Sequence, residues 1–133
     1  PNCEFYSVQI NTEATAIADM NGRSNVHNLE ESILDFKDTA DLLSAMDLVI
    51  SVDTAVAHLS GTLQIPTWVI LPYAADWRWR IHRADSPWYP TIELFRQKNA
   101  GNWNTVLEEV KHCLSNYGKQ MSPHRQARHL TTA

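Results

Sequence analysis

Apolar positions along this chain gather into short dense runs, and polar stretches of two different rhythms part them. "FYSVQI" (5–10), aromatic and β-branched among polar neighbours, predicts a strand. "NTEATAIADMNGR" suggests a short helix ending near Asn21 and Gly22, and "NVHNL" a second short strand. In "DFKDTADLLSAMD", Leu42, Leu43 and Met46 form an apolar stripe, with Asp38 as cap and Asp41 in the next turn, which predicts a helix over about 39–46. "LVISV" has scarcely a polar atom and reads as a strand buried on both faces of a parallel sheet. Asp53 ends that run and is expected to cap a helix in "TAVAHLSGTL", which Gly61 loosens and Pro66 stops. "TWVIL" (67–71) is the next buried strand. Strand, helix and strand in so short a span make a βαβ unit, whose crossover is right-handed in nearly every known case.

After Pro72, "YAADWRWRIHRADSPWYP" shows neither period, and long irregular stretches inside a domain tend to be functional. "TIELF" reads as a last short strand. Asn102 can cap a final helix on which Trp103, Val106, Leu107, Val110 and Leu114 recur every three or four positions. Beyond Tyr117 and Gly118 the tail "KQMSPHRQARHLTTA" is polar and aperiodic, so a folded domain over 1–118 and a disordered tail over 119–133 are expected. The fold class that follows is α/β with a parallel sheet.

Composition narrows the picture. A chain of 133 residues fits one domain and buries roughly two thirds of its unfolded surface. Cys3 and Cys113 stand far apart and match no metal or redox spacing, which favours reduced structural thiols and a cytoplasmic setting. A formal charge of −4 argues against a nucleic-acid surface, and no apolar run nears the ~20 residues of a membrane span. The chain opens on Pro1 and enters a strand at once, with no signal-peptide pattern, as a piece of a longer chain or a processed product would.

Two places carry candidate chemistry. In open α/β sheets ligands gather outside the carboxyl ends of the strands, where helix N-termini offer free N–H groups and partial positive charge. "SVDTAVAH" is such a corner: Thr54, Ala55 and Val56 in a first helical turn would present unpaired amides to a phosphate, and small side chains at Ala55 and Ala57 permit close approach. Thr54 and His58, four apart, share a helix face and can reach one diphosphate. The bland alternative is an ordinary cap at Asp53 and a half-buried His58 bonded to a carbonyl. Asp53 would also compete with phosphate for those amides unless it points elsewhere, at a sugar hydroxyl for instance. The second place is the long loop, where Tyr73, Asp76, Trp77, Arg78, Trp79 and Arg80, with Arg83, Asp85, Trp88 and Tyr89, interleave rings and charges suited to stacking and phosphate pairing. A satellite core with internally paired charges is the alternative there. His27, His82, His112, His124 and His129 have no ligand spacing, so no metal is expected, and no nucleophile elbow is present.

"FYSVQI", "DFKDTADLLSAMDLVISVDTAVAHLSGTLQIPTWVILP", "DWRW", "DSPWYP" and "LFRQ", in that order, resemble the C-terminal half of glycosyltransferases of family nine, the heptosyltransferase-like group, in the version fused to bacterial tetratricopeptide-repeat proteins. The resemblance covers about Glu4 to Tyr117. It implies a Rossmann-like, three-layer domain of the GT-B type that binds a nucleotide-sugar donor as substrate, with no further cofactor. The family's D-T-G-x-x-H falls on Asp53, Thr54, Ala55 and His58, which implies contact with the donor diphosphate, and Ala55 stands where many members have Gly. Hexosyl or heptosyl transfer is implied, with acceptor binding and any catalytic base on an N-terminal half, so the piece alone would be inactive. A non-catalytic interaction module and half of a sugar-nucleotide epimerase remain the alternatives.

Overall fold

The computed structural model describes residues 3–11, 13–80 and 83–128. Among them the order is β1 (Phe5–Ser7), α1 (Ala14–Asn21), β2 (Val26–Asn28), a 3-10 turn (Glu30–Ser32), α2 (Phe36–Ser44), β3 (Val49–Val52), α3 (Ala55–Thr62), β4 (Thr67–Leu71), a second 3-10 turn (Trp77–Trp79), β5 (Ile92–Arg96) and α4 (Trp103–Arg128). All paired strands are parallel: β1 with β2, and a sheet ordered β3-β4-β5 with Val49 beside Thr67 and Thr67 beside Ile92. The architecture is α/β and Rossmann-like, as the buried runs and crossovers require.

The apolar runs become strands because both sheet faces are covered. Against one face, Ala57 of α3 packs with Val69, Leu71, Ile92, Leu94 and Trp79. On the other, Val106 and Val110 of α4 pack with Trp68 and Phe95. Each such side chain contributes on the order of 1.5–3 kcal/mol by leaving water. A third cluster of Leu43, Val49 and Ile65 takes in Val8 from beyond β1, so the small sheet adjoins the large one through side chains. Tyr117 fastens α4 to the start of β3 by donating to the Asp47 carbonyl at 3.1 Å, and burial pushes its phenol above the usual range.

Several boundaries differ from expectation for identifiable reasons. The cap of α2 is Asp35, not Asp38, because Asp35 is the extended residue whose carboxylate accepts from the Lys37 and Asp38 amides at 2.8 and 3.0 Å. Asp38 makes the reciprocal bonds, accepting from the Leu34 and Asp35 amides, so two aspartates three apart form a capping box and the helix begins at Phe36. It ends at Ser44, and Met46 reaches the third cluster from beyond it. Nor does Asp53 cap α3: Thr54 is the extended residue there, and its carbonyl accepts the first bond, from the Ala57 amide at 3.1 Å. Gly61 sits inside α3 rather than loosening it, since the helix continues through Thr62. β1 closes at Ser7 because its partner β2 offers only three residues. Helical backbone runs on past Tyr117 and Gly118 to Arg128, where the polar tail was expected to have begun. His82 and His129 lie outside the described residues.

Candidate functional site

The carboxyl end of β3 delivers the chain to Asp53 and Thr54, and α3 then rises away from the sheet edge. The Thr54 side chain makes no cap bond; its hydroxyl pairs with Ser51 Oγ at 3.1 Å. Ala57 N is used by the Thr54 carbonyl, which leaves the Ala55 and Val56 amides without a protein acceptor among the described residues. Thr54 and Ala55 are exposed and Val56 is half-buried, so those amides stand at an accessible, partially positive helix end. Ala57, wholly buried, belongs to the core instead.

His58 lies one turn further, and its two ring nitrogens have different neighbours. Nδ1 shares a hydrogen bond with Tyr89 Oη at 3.3 Å, while Nε2 faces Asp53 Oδ1 at 3.7 Å. The imidazole stacks on Trp79 with centroids 5.2 Å apart and planes 20° apart, and meets Tyr89 edge-on at 5.8 Å. His58 is therefore neither a core histidine bonded to a carbonyl nor a side chain seen sharing a partner with Thr54. It forms the floor of an open cleft of about 510 Å³, lined also by Trp77, Arg78, Trp79, Trp88 and Tyr89.

The loop after β4 supplies most of that lining, and local bonds hold it. Asp76 caps the Trp77–Trp79 turn by accepting from the Arg78 amide, and the same oxygen accepts from Arg78 Nε at 2.9 Å. The bond from the Arg78 side chain, followed by that from its amide, holds the Asp76 carboxyl below its usual range. Ser86, buried, accepts from the Trp88 and Tyr89 amides at 3.3 Å each, and Trp88 Nε1 donates to the Arg78 carbonyl at 3.2 Å. From β5, Arg96 Nη2 donates to the carbonyls of Trp79 and Arg80 at 3.2 and 2.7 Å. That grip coincides with Arg80 at φ +47° and ψ 158°, a region nearly closed to side-chain-bearing residues. Trp79 is wholly buried and its Nε1 finds no acceptor among the described residues, so packing holds it.

Of the expected loop residues, Trp77, Arg78 and Trp79 reach the cleft with His58, while Tyr73, Asp76 and Arg80 are outside its lining. The structure divides the loop's rings and charges between two surroundings. Trp79 is core, and Arg78 pairs with Asp76 and Arg83 with Asp85, yet Trp77 remains 76% exposed and Trp88 58%. Three positions escaped the sequence reading in the roles they have here. Tyr89 bonds His58; Arg96 braces the turn; and Gly61 makes room for the Tyr89 ring, since a Cβ there would lie 2.6 Å from Tyr89 Cγ. A small residue inside an otherwise ordinary helix was the one available signal.

No helix among the described residues is long and apolar enough to cross a membrane. No solved structure matches the chain significantly. Protein FlbA of Caulobacter vibrioides is 31% identical over 83 residues, which make up 62% of this chain and 14% of that protein, so the chain spans a small part of that relative's length. Residues 21–76 match the family model described as glycosyltransferase family 9 (heptosyltransferase), a stretch that contains β3, α3 and β4 with the corner from Asp53 to His58. Over that stretch the chain is similar to glycosyltransferase family 9, and its parallel-strand α/β architecture is consistent with a Rossmann-like half of the GT-B type.

Proposed function

We propose that this chain is the donor-binding half of a glycosyltransferase, taking the diphosphate of a nucleotide-sugar at the Ala55 and Val56 amides beside Asp53, Thr54 and His58. One observation carries the reading: the stretch matched to the transferase family contains a helix N-terminus whose first amides are free and accessible. Ala55 in place of the family's glycine leaves the approach open, because its exposed methyl adds little bulk at the helix start. Donor transfer needs an acceptor held in line with the departing diphosphate, and helix-end charge stabilises that leaving group. Acceptor binding, any catalytic base, a tetratricopeptide-repeat neighbour and a cytoplasmic setting belong to this proposal, with the acceptor groups on a preceding segment of the same protein.

Isothermal titration and thermal melting with UDP, ADP, GDP and dTDP test it. A nucleoside diphosphate at a hundredfold excess over its dissociation constant raises stability by about 2.7 kcal/mol. The same chain should release no nucleoside diphosphate from nucleotide-sugars, whereas a longer chain carrying the preceding residues should. Indifference to all four nucleotides, or robust transfer by residues 1–133 alone, defeats the reading.

A further inference from the structure

The Tyr89 ring packs against the core cluster of α3 and the sheet, a place that a phenylalanine would fill as well. Its hydroxyl is the surplus, and the one partner of that hydroxyl among the described residues is His58 Nδ1 at 3.3 Å. Three ties fix where it points. The Tyr89 amide donates to the buried Ser86 Oγ, the Tyr89 carbonyl accepts from the Ile92 amide at 3.0 Å, and the ring fills the space that Gly61 leaves. Glycine weakens a helix interior relative to alanine, yet α3 carries one where a Cβ would lie 2.6 Å from the ring.

A neutral imidazole has two tautomers, and its neighbours choose between them. Nε2 of His58 faces Asp53 Oδ1 at 3.7 Å, with the two side chains 29% and 26% exposed. A carboxylate only accepts, so a lone pair on Nε2 is repelled there and a hydrogen is favoured, the more so away from bulk water. The lone pair then belongs to Nδ1, and the Tyr89 hydroxyl, which rotates to suit, donates to it. A separation of 3.7 Å exceeds hydrogen-bond reach, so Asp53 orients the Nε2–H without consuming it. Arg78 of the same cleft is bonded to Asp76, whereas this N–H is unspent among the described residues and lies beside the Asp53–Thr54 corner from which α3 starts. Trp79, stacked on the imidazole at 5.2 Å and 20°, keeps the ring in its plane.

We propose that Tyr89 is a positioning residue for the α3 corner: by donating to His58 Nδ1 it holds the Nε2–H toward an anion at the Ala55 and Val56 amides. The anion rests on the donor-site reading above, whereas the direction of the Tyr89–His58 bond is measured without it. Nitrogen-15 NMR of the histidine-labelled chain, at a pH where the ring is neutral, reads which nitrogen carries the hydrogen, and His58→Ala identifies the signals among those of the six histidines. UDP, ADP, GDP and dTDP are then titrated into the wild type, Tyr89→Phe, His58→Ala and the double variant, at a temperature where melting curves show each protein folded.

In the wild type the hydrogen should sit on Nε2, and Nδ1 should resonate as the acceptor of a hydrogen bond, a signal that Tyr89→Phe moves toward that of a bare acceptor. Nucleoside diphosphate affinity should fall about two- to tenfold in Tyr89→Phe, the worth of one neutral hydrogen bond, and be no lower in the double variant than in His58→Ala. A tyrosine that only supports the fold would lower affinity by the same factor whether His58 is present or not, and that result overturns the proposal. So does a hydrogen on Nδ1 in the wild type, since Tyr89 then accepts, and so does a Tyr89→Phe variant that binds as the wild type does. If no nucleotide binds the wild-type chain, the donor reading fails alone, and the Nδ1 resonance decides whether Tyr89 donates to His58.

Discussion

Gly61 shows how one absent methyl group shapes this site. A Cβ there would lie 2.6 and 2.8 Å from ring carbons of Tyr89 and 3.0 Å from Ile92 Cδ1, so Gly61→Ala should force the tyrosine away from α3. Overpacking of this sort costs about 1–3 kcal/mol, measurable as a lower urea midpoint, and His58 should lose its Nδ1 partner at the same time. Tyr89→Phe separates the two effects. It keeps the ring and removes only the hydroxyl, so stability should fall by about 0.5–1.5 kcal/mol, and the His58 ring signals in NMR should shift while those of the sheet stay put. Arg96→Met keeps the stem on β5 but strips the donors from the Trp79 and Arg80 carbonyls. Arg80, left at positive φ without its anchor, should then relax, with amide shifts concentrated at 77–80. None of these contacts could be read from composition or period, because each joins positions far apart in the chain that only the β4–β5 pairing brings together.

At the next level, the capping box of α2 and the Asp76 turn make opposite points about what local sequence reveals. The helix itself was legible from its apolar stripe, but the pattern D-F-K-D leaves two aspartates competing for one role. The nearer one to the apolar stripe was preferred, whereas the actual cap is the residue whose backbone is still extended. Asp35→Ala should cost about 0.5–2 kcal/mol in urea denaturation, and Asp38→Ala less, since Asp38 returns its bonds to amides outside the helix. A like confusion, by one residue instead of three, arose at Asp53, where helical spacing cannot say which of two neighbours turns. The Asp76 turn depends on pH in a definite direction. Its carboxyl is held low chiefly by the bond from the Arg78 side chain, so the ordering it provides is complete above the usual carboxylate range and is lost as pH falls through the depressed value. Amide protection factors at 77–79, corrected for the intrinsic pH dependence of exchange, should therefore fall on acidification, while Asp76→Asn should show lowered protection already at neutral pH and little further change.

Across the whole chain, stability is unevenly spread. The β3-β4-β5 sheet is covered on both faces and holds Val69, Leu71 and Thr67 wholly out of water, whereas β1 and β2 form a three-residue pair with Phe5 and Tyr6 exposed at 40% and 45%. Hydrogen exchange should accordingly protect β4 amides longest and release those of β1 and β2 by local opening at much lower free energy. The dense runs "LVISV" and "TWVIL" made the first of these sheets legible, because burial on both faces removes the need for polar alternation. The second could be placed but not bounded, since a short strand ends where its partner does, and no residue of β1 announces that. The corner at Asp53 was legible for the same reason as the sheet: strand ends are where the chain must turn. The cleft was not, because its lining draws on α3, the loop after β4 and the approach to β5 together.

The stacking of His58 on Trp79 has an optical consequence. Trp79 is wholly buried and Trp68 nearly so, while Trp77, Trp88 and Trp103 are open to solvent, which places the five indoles in two spectrally separable classes. The imidazole lies 5.2 Å from the Trp79 indole at nearly parallel planes, so His58→Gln changes what one buried indole touches and leaves the open ones alone. The blue-emitting buried class should therefore shift in intensity in that variant, while soluble quenchers, confined to the open class, leave the difference intact. The floor of the cleft thus contains its own lamp, reporting whether His58 still lies on the indole beneath it.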